Sequence, residues 1–148
     1  MLSGRAEIFG TELVTEQTYT FVGKKAAIYT YHGATLQVKG APSVAYVAEE
    51  TPMLSYANLH FALEKLRQVA EDTRSRGPRV LILGSEDAGK TSLTKILTSY
   101  AIRQGRKPIV VGLDPKQVPV SSAQADYLDD NVLTGKSNSR VHTRHYGS

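Results

Sequence analysis

The feature that most constrains this chain is the stretch Gly84–Thr91, which reads Gly-Ser-Glu-Asp-Ala-Gly-Lys-Thr. It has the spacing G-x-x-x-x-G-K-[ST], and it lies between the apolar run Val80–Leu83 and a helical pattern. Gly84 and Gly89 permit a tight turn and a close approach of the backbone that a side chain would block. The stretch therefore predicts a strand, a glycine-rich loop and a helix in succession, as in an α/β protein.

A loop of this kind is suited to binding phosphate groups. Its backbone N–H groups face inward, and the first turn of the following helix adds unpaired donors and the positive end of the helix dipole. Lys90 would reach the β- and γ-phosphates of a nucleotide, and the Thr91 hydroxyl would coordinate Mg²⁺. We therefore interpret residues 84–91 as a Walker A motif, the P-loop.

Length and composition narrow the class of protein. A chain of 148 residues with 41% hydrophobic content has room for one domain or two very small ones. No apolar run is long enough to span a bilayer, and Met1–Arg5 lacks the apolar core of a signal peptide, so we expect a protein of the cytosol or nucleus with no membrane partner. The absence of cysteine excludes disulfides, thiolate zinc sites and cysteine nucleophiles. The net charge of +4 is compatible with a polyanionic partner, but the basic residues are scattered.

The amino-terminal third has the pattern of a small β domain. Short segments with alternating apolar residues are separated by glycines, which are typical of turns. We predict a partial antiparallel β-sandwich over residues 1–50, with strands at Ala6–Phe9, Thr18–Val22, Ala26–Tyr31, Ala34–Val38 and Val44–Val47.

Residues 51–117 are predicted to form a linker helix and the start of a P-loop domain. Apolar residues spaced by three and four predict an amphipathic helix that ends near Thr73, and they are Tyr56, Leu59, Leu63, Leu66 and Ala70. A strand at 79–83, the loop, a helix over 91–103 and a strand at 109–113 would make a β-α-β unit with a partial parallel sheet. Residues 118–148 are rich in Ser, Asn, Asp and Gly, and we expect an irregular tail of unknown role.

Asp114 follows the second predicted strand, which would place it at the carboxyl edge of the sheet, where ligands of open α/β sheets bind. A carboxylate there can hold Mg²⁺ or accept a proton from an attacking hydroxyl. The alternative is that Asp114 opens a turn before Pro115. His142 and His145 have the spacing of a metal pair, but no third ligand is near them in the sequence.

Longer stretches connect the chain to a known family. On these stretches it resembles the polynucleotide 5′-hydroxyl-kinase family, in its fungal form as an ATP-binding subunit of the mRNA cleavage and polyadenylation factor. The matching stretches are Ala6–Leu13 (AEIFGTEL), Tyr19–Phe21 with Ile28–Tyr29, Asn58–Arg67 (NLHFALEKLR), Gly77–Ile82, Gly89–Leu93 and Leu113–Gln117.

The resemblance implies a site for ATP and Mg²⁺ in which an amino-terminal sandwich helps to hold the adenine. It implies that Thr91 and Asp114 bind the metal. The residues that it places on the nucleotide are Lys25, Gly84, Asp87, Ala88, Gly89, Lys90, Thr91 and Ser92. Lys25, which follows Lys24 in a predicted hairpin, is equally compatible with a solvated charge. The resemblance also implies a nuclear protein whose partners are other subunits of the cleavage and polyadenylation complex, with RNA as a further candidate.

Two functions are compatible with these residues. The first is a non-catalytic subunit that holds ATP as a structural ligand. The second is an RNA 5′-hydroxyl kinase with Asp114 as base, which the absence of an identifiable lid arginine disfavours. A third hypothesis, a GTPase-type switch, has less support than these two, because the sequence contains no Asn-Lys-x-Asp stretch that would recognise guanine. Since the resemblance ends after Gln117, we expect a fragment or a truncated gene product.

Overall fold

The computed structural model describes residues 1–113, and Asp114 and the predicted tail lie outside that range. Five two-residue strands are followed by two helices. The strands are β1 Ser3–Gly4, β2 Glu7–Ile8, β3 Thr11–Glu12, β4 Ile28–Tyr29 and β5 Ala34–Thr35, and the helices are α1 Met53–Asp72 and α2 Lys90–Arg103.

The strands form two small antiparallel sheets, as the sequence predicts. One sheet has the order β3-β2-β4, and the other pairs β1 with β5. Ala6, Ile8 and Leu13 are buried at the centre of this unit, where Met1, Tyr19 and Ala34 pack against them. The predicted segments Thr18–Val22 and Val44–Val47 form no strand, and the other three shorten to two residues each. Val22, Val44 and Val47 are largely exposed, so no packing supports a longer ladder there.

A tight hairpin joins β2 to β3. Its two central residues are Phe9 and Gly10, which have φ angles of +47° and +82°, as a two-residue turn of type I′ requires. A positive φ is strained for a residue as bulky as phenylalanine. The strain is offset by packing, because the Phe9 ring contacts both buried clusters and lies 5.5 Å from the Lys95 amine of α2. The hairpin is therefore held in shape by the helix against which it packs.

A bulge interrupts the pairing of the first strands with β4 and β5. Between the paired positions, Arg5 and Ala6 lie opposite the four residues 30–33. The Thr30 hydroxyl closes the bulge, since it donates to the Arg5 carbonyl at 2.7 Å and accepts from the Gly33 N–H at 2.8 Å. A bulge changes the direction in which nearby side chains point. Tyr31 lies inside this bulge, and its hydroxyl is 3.0 Å from the Tyr100 hydroxyl of α2.

Both helices end in the same hydrogen-bonded motif. Beyond α2, Gly105 has a φ of +76°, and the Arg106 N–H donates to the Ala101 carbonyl at 2.9 Å. Beyond α1, Arg74 has a φ of +52°, and the Ser75 N–H donates to the Ala70 carbonyl at 2.8 Å. These are Schellman caps, which satisfy carbonyls that the helix leaves unpaired.

The face that α1 buries differs from the predicted stripe. Leu63 is buried as expected, but Leu59 and Leu66 are 38% and 54% exposed. The buried face runs through Met53, Ala57, His60, Leu63 and Ala70. The two stripes share Leu63 and Ala70, and the prediction passed over His60 because it followed apolar side chains alone. Within residues 1–113, no helix is long and apolar enough to cross a membrane.

The described part of the chain does not show the predicted parallel sheet around the loop. Residues 79–83 and 109–113 form no strand, although the helix between them is present. A parallel strand is normally covered on both faces, but Leu81, Leu83 and Ile109 are 65%, 80% and 75% exposed. Apolar character alone therefore does not produce pairing where neither face is packed.

Charged side chains connect α1 to the turn after α2. Arg106 forms ion pairs with Glu64 and Glu71, and Arg67 donates to Glu64 at 3.1 Å. The hydrogen bond from Arg106 is the main cause that lowers the pKa of Glu64. The two helices are thus joined by this charge network and, elsewhere, by the packing of Met53 and Tyr56 with Ile96 and Tyr100.

His60 is a buried titratable group at the packing of α1 on α2. It is 4% exposed, its Nδ1 has no hydrogen-bond partner, and its ring lies 5.3 Å from that of Tyr100. Burial is the main cause that lowers its pKa, and the positive charges of Arg67 and Arg103 add to that effect, while Glu64 opposes it. The folded protein therefore favours the neutral imidazole.

We expect the free energy of unfolding to fall as the pH drops below about 6.5, the ordinary pKa of histidine. There the unfolded chain binds a proton at His60 that the folded chain does not, so the contribution of this residue is lost between the ordinary pKa and the lowered one. One such proton gives a slope of at most about 1.4 kcal/mol per pH unit. His60→Leu should remove that part of the pH dependence in urea titrations, whereas replacement of the exposed His32 should not. Identical pH profiles for the parent and His60→Leu would contradict the prediction.

Candidate phosphate-binding site

The predicted phosphate loop occupies residues 84–89 and leads directly into α2. Gly89 precedes the helix in the left-handed region, with a φ of +81°, and Asp87 also has a positive φ of +58°. The Leu93 N–H donates to the Gly89 carbonyl at 3.0 Å, which begins the helical ladder. The glycine at position 89 is therefore used for its conformation, because an L side chain would be strained there.

Lys90 folds back over this loop. Its Nζ donates to the carbonyl oxygens of Gly84 at 3.0 Å and of Ser85 at 2.5 Å. An ammonium has three donors, so these bonds occupy two of them. The lysine thus holds its positive charge within the curve of the loop, where a phosphate oxygen could replace a carbonyl as the acceptor.

The fit around Gly84 is looser than the motif suggests. A Cβ placed at Gly84 would be 3.5 Å from the Ala88 Cβ and 3.7 Å from the Lys90 Cγ, which are ordinary contacts. The loop itself therefore does not demand glycine at position 84. A requirement for glycine there would come from the close approach of a ligand to the backbone.

The predicted phosphate-binding residues lie together at one helix end. Asp87, Ala88 and Gly89 form the last part of the loop, and Lys90, Thr91 and Ser92 form the first turn of α2. This end carries the positive pole of a 14-residue helix. The geometry suits an anion, and the nucleotide-binding role of these residues stays a prediction.

Lys25 lies on the sandwich, in the exposed segment before β4. Its neighbour Lys24 is close enough to α2 that its charge contributes, after burial, to lowering the pKa of the Lys95 amine. Lys95 is five residues beyond Lys90 on that helix. The segment that carries Lys25 is therefore near the amino-terminal half of α2, although a contact of Lys25 with nucleotide stays a prediction.

The remaining predicted residues lie outside the described residues. Asp114, proposed as a metal ligand or base, is one of them, as are His142 and His145. Within residues 1–113, no three acidic or histidine side chains are grouped in a way that could hold a metal ion. Thr91 is thus the described member of the predicted Mg²⁺ site.

The sequence did not predict a set of contacts between the sandwich and α2. Glu7 is buried beneath the carboxyl-terminal half of α2, and Gly10 packs against Ser99 and Tyr100. The AEIFGTEL stretch supported the family resemblance but indicated no structural role. No local pattern signals such contacts, since their partners are some 90 residues apart along the chain.

Comparison with known proteins supports both halves of this arrangement. A family model described as the N-terminal beta-sandwich domain of polyadenylation factor matches residues 1–70. A second, described as the mRNA cleavage and polyadenylation factor CLP1 P-loop, matches residues 84–125. The first match covers the small sheets and most of α1, and the second begins at the loop and includes α2.

Curated relatives are similar over most of this chain. The mRNA cleavage and polyadenylation factor clp1 of Aspergillus niger is 65% identical over 117 residues, which cover 79% of this chain and 23% of the relative. The proteins of the same name from Emericella nidulans and Coccidioides immitis are each 55% identical, again over 79% of this chain, and 26% and 25% of their own lengths are covered. This chain spans about a quarter of the length of the curated relatives it matches. With its sandwich and its P-loop segment both matched, the chain belongs to the Clp1 family of mRNA cleavage and polyadenylation factors.

Proposed function

We propose that this chain is the ATP-binding part of a nuclear factor for cleavage and polyadenylation of mRNA 3′ ends, and that it acts by holding partners rather than by chemistry. The observation that carries the proposal is Lys90, folded over a loop that enters α2 through the left-handed Gly89. The family membership supports the process, since its relatives are named for mRNA cleavage and polyadenylation.

The ligand that best suits this loop is a nucleoside triphosphate with Mg²⁺. The helix end and the Lys90 ammonium attract a polyphosphate, and the Thr91 hydroxyl is in the first turn, where P-loop proteins bind the metal. The sandwich with Lys25 lies close to the same helix and would contact the nucleoside part. Such a ligand would stabilise the folded chain by mass action, by about 2.7 kcal/mol at a hundredfold excess over Kd.

Two arginines at the far end of α2 are held away from the loop, which removes them as candidates for the positive charge that catalysis would need. Phosphoryl transfer relies on positioned positive charge around the transferring group. Arg103 pairs with Glu7 and Glu12, and Arg106 pairs with Glu64 and Glu71. These guanidinium groups are at the opposite end of α2 from Lys90, and their carboxylate partners hold them there.

The proposed partners are other subunits of the cleavage and polyadenylation complex, with RNA as a further candidate. Exposed apolar side chains before the loop and after α2 offer surface for protein contacts, among them Leu81, Leu83, Ile109 and Leu113. The proposed location is the nucleus, which follows from the process and not from a targeting signal in the sequence.

The direct test is a nucleotide titration of the full chain followed by thermal unfolding. We expect ATP with Mg²⁺ to raise the midpoint temperature and tripolyphosphate with Mg²⁺ to raise it less. An unchanged midpoint at millimolar ATP, together with no heat of binding in calorimetry, would rule out the proposed ligand.

The proposed non-catalytic role is tested separately, by transfer of labelled γ-phosphate to a 5′-hydroxyl oligoribonucleotide. Label transfer that Asp114→Asn abolishes would establish the kinase instead.

Thr91→Ala should weaken ATP binding chiefly when Mg²⁺ is present. The substitution removes one hydroxyl ligand of the proposed metal and leaves Lys90 in place, so the loss should be about tenfold with Mg²⁺ and much smaller in EDTA. Isothermal titration calorimetry in the two buffers measures both values. Thr94→Ala is a matched control, because its hydroxyl donates to the Lys90 carbonyl within α2 and not toward the loop. Equal losses in both buffers would remove Thr91 from the metal site.

A further inference from the structure

Glu7 is a buried carboxylate that connects the sandwich to α2. Its side chain is 8% exposed, and it accepts a hydrogen bond from the Tyr100 hydroxyl at Oε1. Its other oxygen, Oε2, accepts from Arg103 Nη1 at 3.3 Å. Both partners are on the carboxyl-terminal half of α2.

Further contacts extend this connection on either side. The Tyr100 hydroxyl lies 3.0 Å from the Tyr31 hydroxyl in the strand bulge, and burial followed by the bond to Glu7 raises the pKa of Tyr100, so the phenol stays protonated and can donate. Arg103 also donates to the Gly10 carbonyl and to Glu12, each at 3.3 Å. We call Glu7, Tyr31, Tyr100 and Arg103 the sandwich–helix latch.

The latch fixes geometry to a degree that apolar packing alone would not. Burying a carboxylate is costly, and well-packed apolar side chains often stabilise such a contact as well or better. Hydrogen bonds to Glu7 have directions, however, so they define how far α2 is rotated and shifted against β2. Met53, Ile96 and Tyr100 form a buried apolar cluster, and Tyr100 belongs both to that cluster and to the latch.

The same helix carries the phosphate loop at its other end. Tyr100 is ten residues beyond Lys90, which is about 15 Å along a rigid helix axis. Phe9 contacts α2 between those points, at Lys95. Any tilt of α2 in the latch would therefore move Lys90 relative to the sandwich and to the segment that carries Lys25.

We infer that the sandwich–helix latch is a positioning device that sets the sandwich against the phosphate loop, so that a single nucleoside triphosphate can contact both. This inference rests on the proposed nucleotide site and assigns positioning roles to Glu7, Tyr31, Tyr100 and Arg103. It has a specific consequence. A ligand that reaches from the loop to the sandwich needs the latch, whereas a bare polyphosphate, which needs only the loop, does not.

The test compares ATP with tripolyphosphate, each with Mg²⁺, by calorimetry on the full chain. Tyr100→Phe removes one hydroxyl and leaves the ring in its apolar cluster. We expect its Kd for ATP to rise about tenfold, while its Kd for tripolyphosphate stays within about twofold of the parent value. Tyr19→Phe is the matched control, because its hydroxyl accepts from the Val14 N–H inside the sandwich, away from α2. It should change neither Kd.

The outcomes separate the inference from the function on which it rests. A parent chain that binds neither ligand refutes the proposed nucleotide site and the latch together. A parent that binds both, with a Tyr100→Phe variant that loses both equally or neither, leaves the nucleotide site standing and overturns the latch. If Tyr100→Phe does not fold, Tyr31→Phe makes the same comparison, since its hydroxyl is at the rim of the latch and Tyr31 is 41% exposed. A selective loss of ATP in that variant supports the inference, and an unchanged ratio of the two Kd values overturns it.

Discussion

Replacement of Lys90 by alanine should abolish most of the ATP affinity of the chain. The ammonium is held within the loop by the carbonyl oxygens of Gly84 and Ser85 and is available to a phosphate at the same place. Hydrogen bonds to charged groups contribute about 1.5–3 kcal/mol each, so loss of a charge that meets two phosphates should raise Kd by about a hundredfold or more. Isothermal titration calorimetry with ATP and Mg²⁺ measures the change.

Two controls make the result specific to the loop. Lys65→Ala removes the same charge from an exposed position on α1 and should leave Kd unchanged. The unfolding midpoint of Lys90→Ala without nucleotide should be close to that of the parent, because its bonds to the loop carbonyls are exposed to solvent. Equal ATP affinity of Lys90→Ala and the parent would show that the nucleotide, if bound, is bound elsewhere.

The loop and its helix could be predicted from the sequence because their signals are local. Glycine at positions 84 and 89, lysine at 90 and the helical spacing after them all concern neighbours along the chain. The carboxyl-terminal ends of α1 and α2 were also predictable from neighbouring residues. Gly77 and Pro78 follow the first helix, and Gly105 and Pro108 follow the second. Local conformational preference and local hydrogen bonds decide these features.

The strands were harder to predict because pairing depends on distant residues. Val80–Leu83 has the composition of a buried strand, yet it is unpaired in the described part of the chain. Conversely, Ser3–Gly4 and Thr11–Glu12 have little strand character and are paired, because neighbouring segments hold them in register. Strand propensity measures how well a side chain fits a packed sheet surface. It therefore does not tell whether the fold provides such a surface at that position.

The latch was missed for a related reason. Glu7 alternates with apolar neighbours and reads as a solvent-facing position on a half-buried strand. Its burial follows from Tyr100 and Arg103, which lie one helical turn apart near the end of α2 and supply a donor for each carboxylate oxygen. A charge becomes acceptable in a core only when its partners are in place, and the sequence does not show which partners those are.

Gly10→Ala should cost about 3 kcal/mol or more of the free energy of unfolding, a large part of the margin of a small domain. A Cβ at this position would lie 2.9 Å from the Ser99 Cβ and 3.0 Å from the Ile96 carbonyl oxygen. The second of these is helix backbone and cannot rotate away. The φ of +82° adds strain for any L side chain. The hairpin would have to separate from α2, and this can be measured by urea unfolding followed by circular dichroism.

Gly23→Ala separates the two causes of that loss. Gly23 also has a positive φ, of +61°, but a Cβ there would meet nothing within 4 Å. It should therefore show only the conformational cost, about 1 kcal/mol. A similar cost for both variants would mean that backbone strain alone accounts for Gly10 and that the hairpin does not press against α2. A much larger loss of unfolding free energy at Gly10 would place the hairpin in contact with α2 in solution. Both glycines have a positive φ, and of the two only Gly10 has atoms of α2 next to an added Cβ.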